Sequence, residues 1–195
     1  MNKVIKEFET KYLCEKNKFK ELYSLFLNYG KPVSFVQTNY YFDTKELDYY
    51  NTKITVRIRE KPNSIKLTIK DKREYLKDKP LSFEHSCTLS PNEFKEIILQ
   101  ENIELNKYFN VSNLNLPMQL ELLGDLTTKR TQILIKNVLF CFDINKYCNY
   151  EDFEIEAEAN IDRLEKIDDW FEKKGLKRSF KGKYSRFISA LEKSF

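Results

Sequence analysis

The sequence is poor in glycine and histidine, and this scarcity excludes several kinds of functional site. The 195 residues include four glycines, which never cluster, so neither a P-loop nor a dinucleotide-binding fingerprint can be written. The one histidine, His85, excludes a metal site built from several histidines. The four cysteines show no Cys-x-x-Cys spacing, which excludes zinc ribbons and thioredoxin-type redox motifs.

The chain also lacks long apolar runs and a strong excess of either charge. No apolar segment is long enough to cross a membrane, and the N-terminus has no apolar signal-peptide core. We therefore expect a soluble, cytoplasmic protein with reduced cysteines and no membrane partner. Lysine and arginine number 34 against 30 acidic residues, and this net charge of +4 does not indicate a nucleic-acid partner.

Alternation and helical spacing predict an α+β fold. No Pro-, Gly- or Ser-rich linker divides the chain, so we expect a single domain over residues 1–195. Strands are expected at 4–13, 33–44, 54–60, 65–72, 81–89, 118–135, 138–144 and 152–159. Helices are expected at 16–29, from 90 onward, at 160–174 and at 183–193, and the pattern of 101–116 is helical or irregular. About eight strands that are mostly antiparallel neighbours suit an eight-stranded closed β-barrel with flanking helices.

Four short-range signals predict where elements begin and end. Gly30 is expected to cap the first helix, and Gly175 is expected to end a later one. Ser90-Pro91-Asn92-Glu93 predicts a capping box, in which Ser90 caps the helix and Glu93 closes the box. Lys136-Asn137 predicts a tight hairpin turn.

Four of the predicted strands combine an apolar face with a face of charged side chains. Because strand side chains alternate, each charged set points to a single side. Like charges two residues apart repel, and lysine and glutamate are poor strand formers, so four such runs are unusual for a plain surface sheet. The charged sets are Glu7, Glu9 and Lys11; Arg57 and Arg59; Lys66 and Lys70; and Glu154, Glu156 and Glu158.

This pattern predicts that acidic and basic strand faces line a cavity. Clustered carboxylates need a compensating cation, and oxygen ligands suit Mg²⁺ or Mn²⁺. Clustered arginine and lysine side chains suit phosphate oxygens. Together the two faces describe a site for a metal-complexed polyphosphate, in which the metal bridges phosphate oxygens.

Seven segments carry a resemblance to a known family. Glu7-Phe8-Glu9-Thr10-Lys11 resembles the ExExK motif of the CYTH superfamily, which is also called the triphosphate tunnel metalloenzymes. Six later segments are similar to further motifs of that family and follow in its order: 37–44, 56–59, 67–70, 126–130, 152–158 and 183–187. The resemblance spans residues 4 to about 188 and implies an eight-stranded antiparallel barrel that is open through the middle and binds triphosphates with a divalent metal.

The resemblance also implies roles for individual residues. Catalytic roles are expected for Glu7, Glu9, Lys11 and Tyr41. Substrate-binding roles are expected for Arg57, Arg59, Lys66, Lys70, Arg130, Lys183 and Arg186. Metal ligands are expected among Glu7, Glu9, Glu84, Asp143, Glu154, Glu156 and Glu158, without a decision between the last three. Five alternatives stay open: packing for Tyr41, a surface position for Glu84, a turn cap for Asp143, a position at the barrel mouth for Glu154 and one at the rim for Lys66.

The favoured function is a metal-dependent hydrolase of inorganic tripolyphosphate that uses Mg²⁺ or Mn²⁺ and acts as a monomer or homodimer. The resemblance also permits a thiamine, nucleoside or RNA triphosphatase, or a class IV adenylate cyclase, although the sequence shows no nucleoside pocket. A non-catalytic polyphosphate- or nucleotide-binding module is an alternative of a different class. The intact acidic strands argue against such a module, because an anion binds without a metal more easily when carboxylates are absent.

Overall fold

The computed structural model describes residues 6–76, 79–110 and 115–193. The strands are β1 (Lys6–Glu7), β2 (Glu9–Cys14), β3 (Pro32–Asp43), β4 (Ile54–Lys61), β5 (Ser64–Leu76), β6 (Lys79–Thr88), β7 (Asn102–Glu104), β8 (Gln119–Ile135), β9 (Val138–Tyr147) and β10 (Tyr150–Glu158). The helices are α1 (Lys16–Phe26), α2 (Asp48–Asn51), α3 (Pro91–Gln100), α4 (Ile161–Lys173) and α5 (Lys183–Leu191), with a 3₁₀ turn at Leu105–Lys107. The prediction of an α+β fold with flanking helices is therefore confirmed.

The strands form an antiparallel sheet, but the prediction of an eight-stranded closed barrel is wrong. In the described part of the chain, the hydrogen-bonded order is β1-β6-β5-β4-β3-β8-β9-β10-β2, with β7 beside β8. β1 and β2 end this order and follow one another in the sequence with only Phe8 between them, so no ladder can join them. Ten strands replace the expected eight because the first strand is split at Phe8 and β7 lies in the ambiguous region 101–116.

The described chain divides into two compact units. The first unit comprises Lys6 and residues 38–125, and the second comprises residues 7–37 and those from 126 onward. In the first unit, apolar residues of β4 and β5 are buried together with Ile97 of α3. The same core includes Ile103, Leu105, Phe109 and Leu120. Burial of each such side chain contributes about 1.5–3 kcal/mol. The organisation of residues 1–195 as a single domain stays a prediction.

The second unit has a core rich in aromatic rings, which packs between α1, α4 and the apolar side of the sheet. Phe26 of α1 makes an edge-to-face contact with Phe140 of β9, with 4.7 Å between the ring centres. Tyr12 of β2 stacks on Phe171 of α4 at 4.2 Å. Because strand residues alternate, this packing leaves the charged residues of β2, β9 and β10 on the opposite side of the sheet.

Three of the four short-range signals are confirmed. At the start of α3, the Glu93 N–H donates to Ser90 Oγ at 3.3 Å, and the Ser90 N–H donates to Glu93 Oε2 at 2.8 Å. Lys136 and Asn137 have φ values of 47° and 63°, as a tight hairpin between β8 and β9 requires. Gly175 ends α4 with a φ of 82°, which a residue with a Cβ adopts only with strain.

The prediction that Gly30 caps α1 is wrong, because the helix ends at Phe26 and its C-cap is Leu27. A close approach to β8 explains why residue 30 is a glycine. A Cβ at this position would lie 2.7 Å from Ile133 Cγ2 and 2.9 Å from the backbone oxygen of Leu134. The glycine therefore allows the segment between α1 and β3 to approach β8 closely.

Among the residues that the structure describes, no helix combines the length and the hydropathy that crossing a bilayer requires. The longest described helix, α4, has 13 residues. The four cysteines, Cys14, Cys87, Cys141 and Cys148, are all free thiols.

Candidate functional site

One charged surface lies on the first unit and is formed by strands β3 to β6. Directly opposed residues of neighbouring antiparallel strands point to the same side of a sheet. Three cross-strand pairs lie on this side: Tyr41 with Arg57, Arg59 with Lys66, and Lys70 with Glu84. The structure thus brings six of the predicted site residues together, and we call these six the basic face.

Glu84 is the acidic member of the basic face and pairs with two of its cations. Its Oε1 lies 2.9 Å from Lys70 Nζ and 3.7 Å from Arg57 Nη2. Burial alone would raise the pKa of Glu84, but the charges of Lys70 and Arg57 outweigh burial and lower it to about 2. Glu84 therefore lies where it balances the positive charge of Lys70 and Arg57, and its role as a metal ligand stays a prediction.

Glu84→Gln should lower the free energy of unfolding at neutral pH, and this loss should disappear in acid. Because its pKa is depressed from 4.5 to about 2, ionised Glu84 stabilises the fold above pH 4.5, and this stabilisation is lost as the pH falls towards 2. The difference amounts to about 3 kcal/mol, at roughly 1.4 kcal/mol per pH unit. Urea unfolding at several pH values should show the variant to be less stable than wild type at pH 7, with the gap closing towards pH 2.

The matched control for this prediction is Glu96→Gln, which changes an exposed glutamate of α3. It should follow the wild-type stability curve at every pH. A Glu84→Gln protein whose free energy of unfolding stays parallel to that of wild type from pH 7 down to acid pH would contradict the prediction.

Buried hydrogen-bond donors lie on the same side of the sheet as the basic face. Asn39 lies on β3 opposite Arg59, is 1% exposed, and accepts a hydrogen bond from Arg59 Nε at its Oδ1, at 3.0 Å. Asn39 Nδ2 and Arg57 Nε are both buried, and neither has a hydrogen-bond partner among the described residues. The strand alternation that links Asn39 to Tyr41 is visible in the sequence, but we did not expect a functional role for Asn39.

The other charged surface lies on the second unit and is formed by β2, β8, β9 and β10. The cross-strand pairs on this side are Glu9 with Glu158, Lys11 with Glu156, Glu154 with Asp143, and Asp143 with Arg130. Lys183 and Arg186 of α5 reach the same side, as does Asp152 at the start of β10. We call this set of ten residues the acidic face: Glu9, Lys11, Arg130, Asp143, Asp152, Glu154, Glu156, Glu158, Lys183 and Arg186.

Lys183 lies at the centre of three buried carboxylates. Its Nζ is 2.8 Å from Asp143 Oδ2, is 2.8 Å from Glu156 Oε1 and also contacts Glu154. Burial opposes the charge of Lys183, but the carboxylates of Asp143, Glu154 and Glu156 outweigh burial and raise its pKa. The ammonium group therefore stays protonated and neutralises this group of three.

Arg130 and Lys11 bind the same carboxylates from the neighbouring strands. Arg130 donates to both oxygens of Asp143, at 2.8 and 2.6 Å, and to Glu156 at 2.5 Å. Lys11 Nζ lies 2.8 Å from Glu9 and 3.2 Å from Glu156. Burial would raise the pKa of Glu156, but the charges of Lys11, Lys183 and Arg130 outweigh burial and lower the pKa well below its usual range.

A second network lies at the edge of the acidic face, around Asp152. Arg186 Nε donates to Asp152 at 2.8 Å, and its Nη1 donates to Glu154 at 3.0 Å. Asn145 and Tyr147 of β9 also donate to Asp152, at 2.8 and 2.7 Å. We did not expect a site role for Asp152 from the sequence, although it continues the alternation of Glu154, Glu156 and Glu158 by one step.

Strand β2 is anchored from its other side. Thr10 donates to Asp168 of α4 at 2.5 Å, and the Tyr12 hydroxyl donates to the same carboxylate oxygen. Burial, followed by this hydrogen bond, raises the pKa of Tyr12. The Ser179 N–H donates to the backbone oxygen of Lys11 at 2.7 Å. These contacts fix the strand that carries Glu9 and Lys11.

Carboxylate oxygens of the acidic face fit a hard divalent cation such as Mg²⁺ or Mn²⁺. Oxygens of Asp143, Glu154 and Glu156 lie within 4.8 Å of one another, but the ammonium group of Lys183 already lies among them. The ligand atoms of Cys141, Glu156 and Glu158 form a second cluster of potential metal ligands, also within 4.8 Å of one another. Burial raises the pKa of the Cys141 thiol to about 12, so this thiol is a poor ligand for a hard cation.

Glu9 and Glu158 offer a more suitable pair of ligands. Glu9 and Glu158 are directly opposed in the register of β2 and β10, where like charges repel, and Lys11, at 2.8 Å from Glu9, offsets one of the two negative charges. The acidic face as a whole has six carboxylates and four cationic groups, so a divalent cation would balance its charge. The backbone of Glu7 lies in β1, and its side chain is outside the described part of the structure.

The substrate-binding residues predicted from the sequence fall into two groups. Arg57, Arg59, Lys66 and Lys70 lie on the basic face. Arg130, Lys183 and Arg186 bind the carboxylates of the acidic face, and their role in substrate binding stays a prediction. An open groove of about 630 Å³ on the first unit, lined by residues such as Thr44, Gln100 and Gln119, contains none of the predicted site residues.

A comparison of the sequence with models of known protein families finds a match that spans both charged faces. A model of the CYTH domain matches residues 6–188, which include both faces. The chain belongs to the CYTH family. The family resemblance drawn from the seven motifs is therefore confirmed, and CYTH proteins of this kind are triphosphatases or adenylate cyclase-like enzymes.

Solved structures resemble this CYTH protein over nearly its full length. A candidate adenylate cyclase from Bacillus halodurans is 26% identical with a TM-score of 0.73, and the match covers 93% of this chain and 96% of that one. A candidate adenylyl cyclase from Hippeastrum with a dominant triphosphatase activity is 18% identical with a TM-score of 0.74, over 94% and 95%. A Pyrococcus horikoshii protein is 13% identical with a TM-score of 0.64, over 94% and 98%.

The Hippeastrum and Pyrococcus proteins are similar to this chain in fold alone at these identities. Among curated proteins, no significant match to the sequence is found. The family and its fold therefore follow from the comparisons, and the substrate has to be argued from the residues of the two faces.

Proposed function

We propose that this CYTH protein hydrolyses inorganic tripolyphosphate to pyrophosphate and phosphate with the help of Mg²⁺ or Mn²⁺. The observation that carries the proposal is the direct opposition of Glu9 and Glu158 on the acidic face. Two facing carboxylates favour a bound cation, and a metal-assisted reaction needs such a cation. A module that only binds anions would gain nothing from this pair.

Glu9 and Glu158 would hold the metal, and Glu7 is proposed as a further ligand from the preceding strand. A divalent cation held there would supply positive charge for the phosphate chain and would make a water molecule more acidic. Asp143, Glu154 and Glu156 support the pair from the side, because they hold Lys11, Lys183 and Arg130 in place. Lys11 also contacts Glu9 directly and adds positive charge beside the proposed metal ligands.

The phosphate chain would be bound by the basic face. Arg57 and Arg59 offer planar guanidinium groups, which bind phosphate oxygens in a bidentate manner, and Lys66 and Lys70 add positive charge. Tyr41 lies opposite Arg57 and is 1% exposed, so it is held rigidly within this face. These groups would stabilise the negative charge that develops on the phosphate in the transition state.

Adenylate cyclase activity is the second candidate, because the Bacillus halodurans relative at 26% identity is described as a candidate adenylate cyclase. Cyclisation requires a nucleoside to be held so that its ribose hydroxyl attacks the α-phosphate. The residues assigned to the two faces are acidic and basic side chains that suit phosphate and metal. We therefore favour hydrolysis of a substrate without an organic part.

A direct assay separates the candidate functions. Purified protein is incubated with tripolyphosphate, ATP or thiamine triphosphate in the presence of Mg²⁺ or Mn²⁺, and phosphate, pyrophosphate and cyclic AMP are quantified. We expect metal-dependent release of phosphate and pyrophosphate, fastest with tripolyphosphate. Cyclic AMP formed from ATP would replace the hydrolase proposal by a cyclase. Tight binding of tripolyphosphate without turnover would indicate a binding module.

The proposal includes the setting in which the protein acts. The four free thiols suit the reducing cytoplasm, and we propose that location. The partner is a small-molecule triphosphate or polyphosphate, and the chain acts as one domain in a monomer or homodimer.

A further inference from the structure

Asn39 combines deep burial with a polar group that the protein itself leaves unsatisfied. It lies in the middle of β3 and is 1% exposed. Its cross-strand partner is Arg59 of β4, so both residues point to the basic face. A buried amide of this kind normally has hydrogen bonds to both its oxygen and its nitrogen.

The orientation of the Asn39 amide follows from its contact with Arg59. Arg59 Nε donates to Asn39 Oδ1 at 3.0 Å. A guanidinium group has only donors, so the amide oxygen and not the amide nitrogen must face it. The NH₂ group of Asn39 is therefore available for an acceptor, and its nitrogen has no partner in the described ranges of the chain.

A second buried donor on the same face needs the same kind of partner. Arg57 Nε is buried and has no acceptor among the residues that the structure describes. Arg57 and Asn39 lie on one side of the sheet, since Arg57 and Arg59 are two residues apart on β4. Unsatisfied buried donors are rare in folded proteins, and two of them beside positively charged groups indicate a site for an anionic acceptor.

We propose that Asn39 is a substrate-binding residue whose Nδ2 donates a hydrogen bond to a phosphate oxygen of the triphosphate. Its Oδ1 meanwhile holds the guanidinium group of Arg59, so one side chain positions a cation and contacts the anion. This inference rests on the proposed function, because the acceptor is the phosphate chain of that substrate. A purely positioning role, in which Asn39 acts only through Arg59, is the competing explanation.

Asn39→Asp tests whether binding needs the NH₂ group of Asn39, because aspartate has nearly the same shape. It keeps an acceptor for Arg59 Nε and replaces the NH₂ donors by a negatively charged oxygen. Tripolyphosphate binding is measured by calorimetry in EDTA, so that no metal contributes. We expect Asn39→Asp to weaken binding roughly 10- to 100-fold. Asn92→Asp, which makes the same charge change at an exposed position of α3, should bind as wild type does.

A double-mutant cycle separates direct contact with phosphate from an effect through Arg59, because Asn39→Ala adds no charge. Each variant is first checked for folding by circular dichroism and thermal unfolding. Asn39→Ala is compared with wild type, and the same change is made in an Arg59→Ala background. A direct contact with phosphate predicts that Asn39→Ala weakens binding in both backgrounds. No effect in the Arg59→Ala background would overturn the inference, because Asn39 would then act only through Arg59.

The outcomes for the inference and for the proposed function are distinct. If wild type binds tripolyphosphate and Asn39→Asp binds it equally well, the inference is wrong and the proposed function stands. If wild type shows no binding of tripolyphosphate, the proposed function is wrong and the inference is wrong with it. Weakened binding by Asn39→Asp, and by Asn39→Ala in the Arg59→Ala background, with Asn92→Asp unchanged, supports both.

Discussion

Replacing Glu9 by glutamine is expected to reduce turnover of tripolyphosphate by about a thousandfold or more, while the protein stays folded. Glu9 faces Glu158 across the β2–β10 pair, and we propose that the two carboxylates hold the metal. Glutamine keeps the shape of the side chain but removes the negative charge that binds the cation. Lys11 retains Glu156 as a partner, so the local ion pairs survive the change.

The measurement is a steady-state rate at saturating tripolyphosphate, repeated at increasing concentrations of Mg²⁺ and Mn²⁺. If Glu9 is a metal ligand, the variant should need more metal to reach its residual activity. Glu15→Gln is the matched control, because it makes the same change at an exposed position just beyond the end of β2 and should keep wild-type activity. Wild-type turnover by Glu9→Gln would remove the basis of the metal assignment.

Glu156→Gln is expected to lower the free energy of unfolding by about 3–5 kcal/mol. Glu156 is 4% exposed and binds three cationic side chains, Lys11, Arg130 and Lys183. Loss of its charge removes one of the carboxylates that each of these three buried cations contacts. Water does not reach these three side chains freely, so solvation does not replace the lost ion pairs.

Urea unfolding at neutral pH measures this effect. Glu151→Gln serves as control, since Glu151 lies on the same strand but is exposed, and we expect it to change stability by less than about 0.5 kcal/mol. A Glu156→Gln protein as stable as wild type would show that the buried carboxylate is not needed to hold these cations.

The sides to which the charged residues point could be predicted from the sequence, because they depend on local alternation. Arg57 and Arg59 are separated by one apolar residue, and the register of β4 with β5 places both on one side. The same holds for Glu154, Glu156 and Glu158 on β10. Alternation depends only on strand geometry, and strand geometry does not depend on which strand lies next to which.

The pairing of charges could not be predicted, because it depends on contacts between distant segments. Lys183 and Asp143 are 40 residues apart in the sequence, and only the packing of α5 on the sheet brings them together. The sequence predicts that Lys183 and Arg186 bind substrate, which stays a prediction, but it does not predict that they bind the carboxylates of Asp143 and Asp152. Such pairs follow from tertiary structure and have no local signal.

The errors in the predicted fold also arise from contacts between distant segments. Gly30 follows a helical pattern, so a helix cap is the natural local interpretation, but the position is determined by its closeness to Ile133 and Leu134. The first strand alternates without interruption in the sequence, and its division at Phe8 follows from the different neighbours of β1 and β2. Asn39 was missed because an unsatisfied amide becomes visible only when its surroundings are known.

The position of Lys183 has a consequence for how the protein is handled. The positive charge among Asp143, Glu154 and Glu156 belongs to a side chain and is covalently attached to helix α5. A chelating agent can remove a bound metal ion, but it cannot remove this ammonium group. The protein should therefore survive purification in a chelator with its acidic strands in register, and it should become active again when a divalent ion is returned.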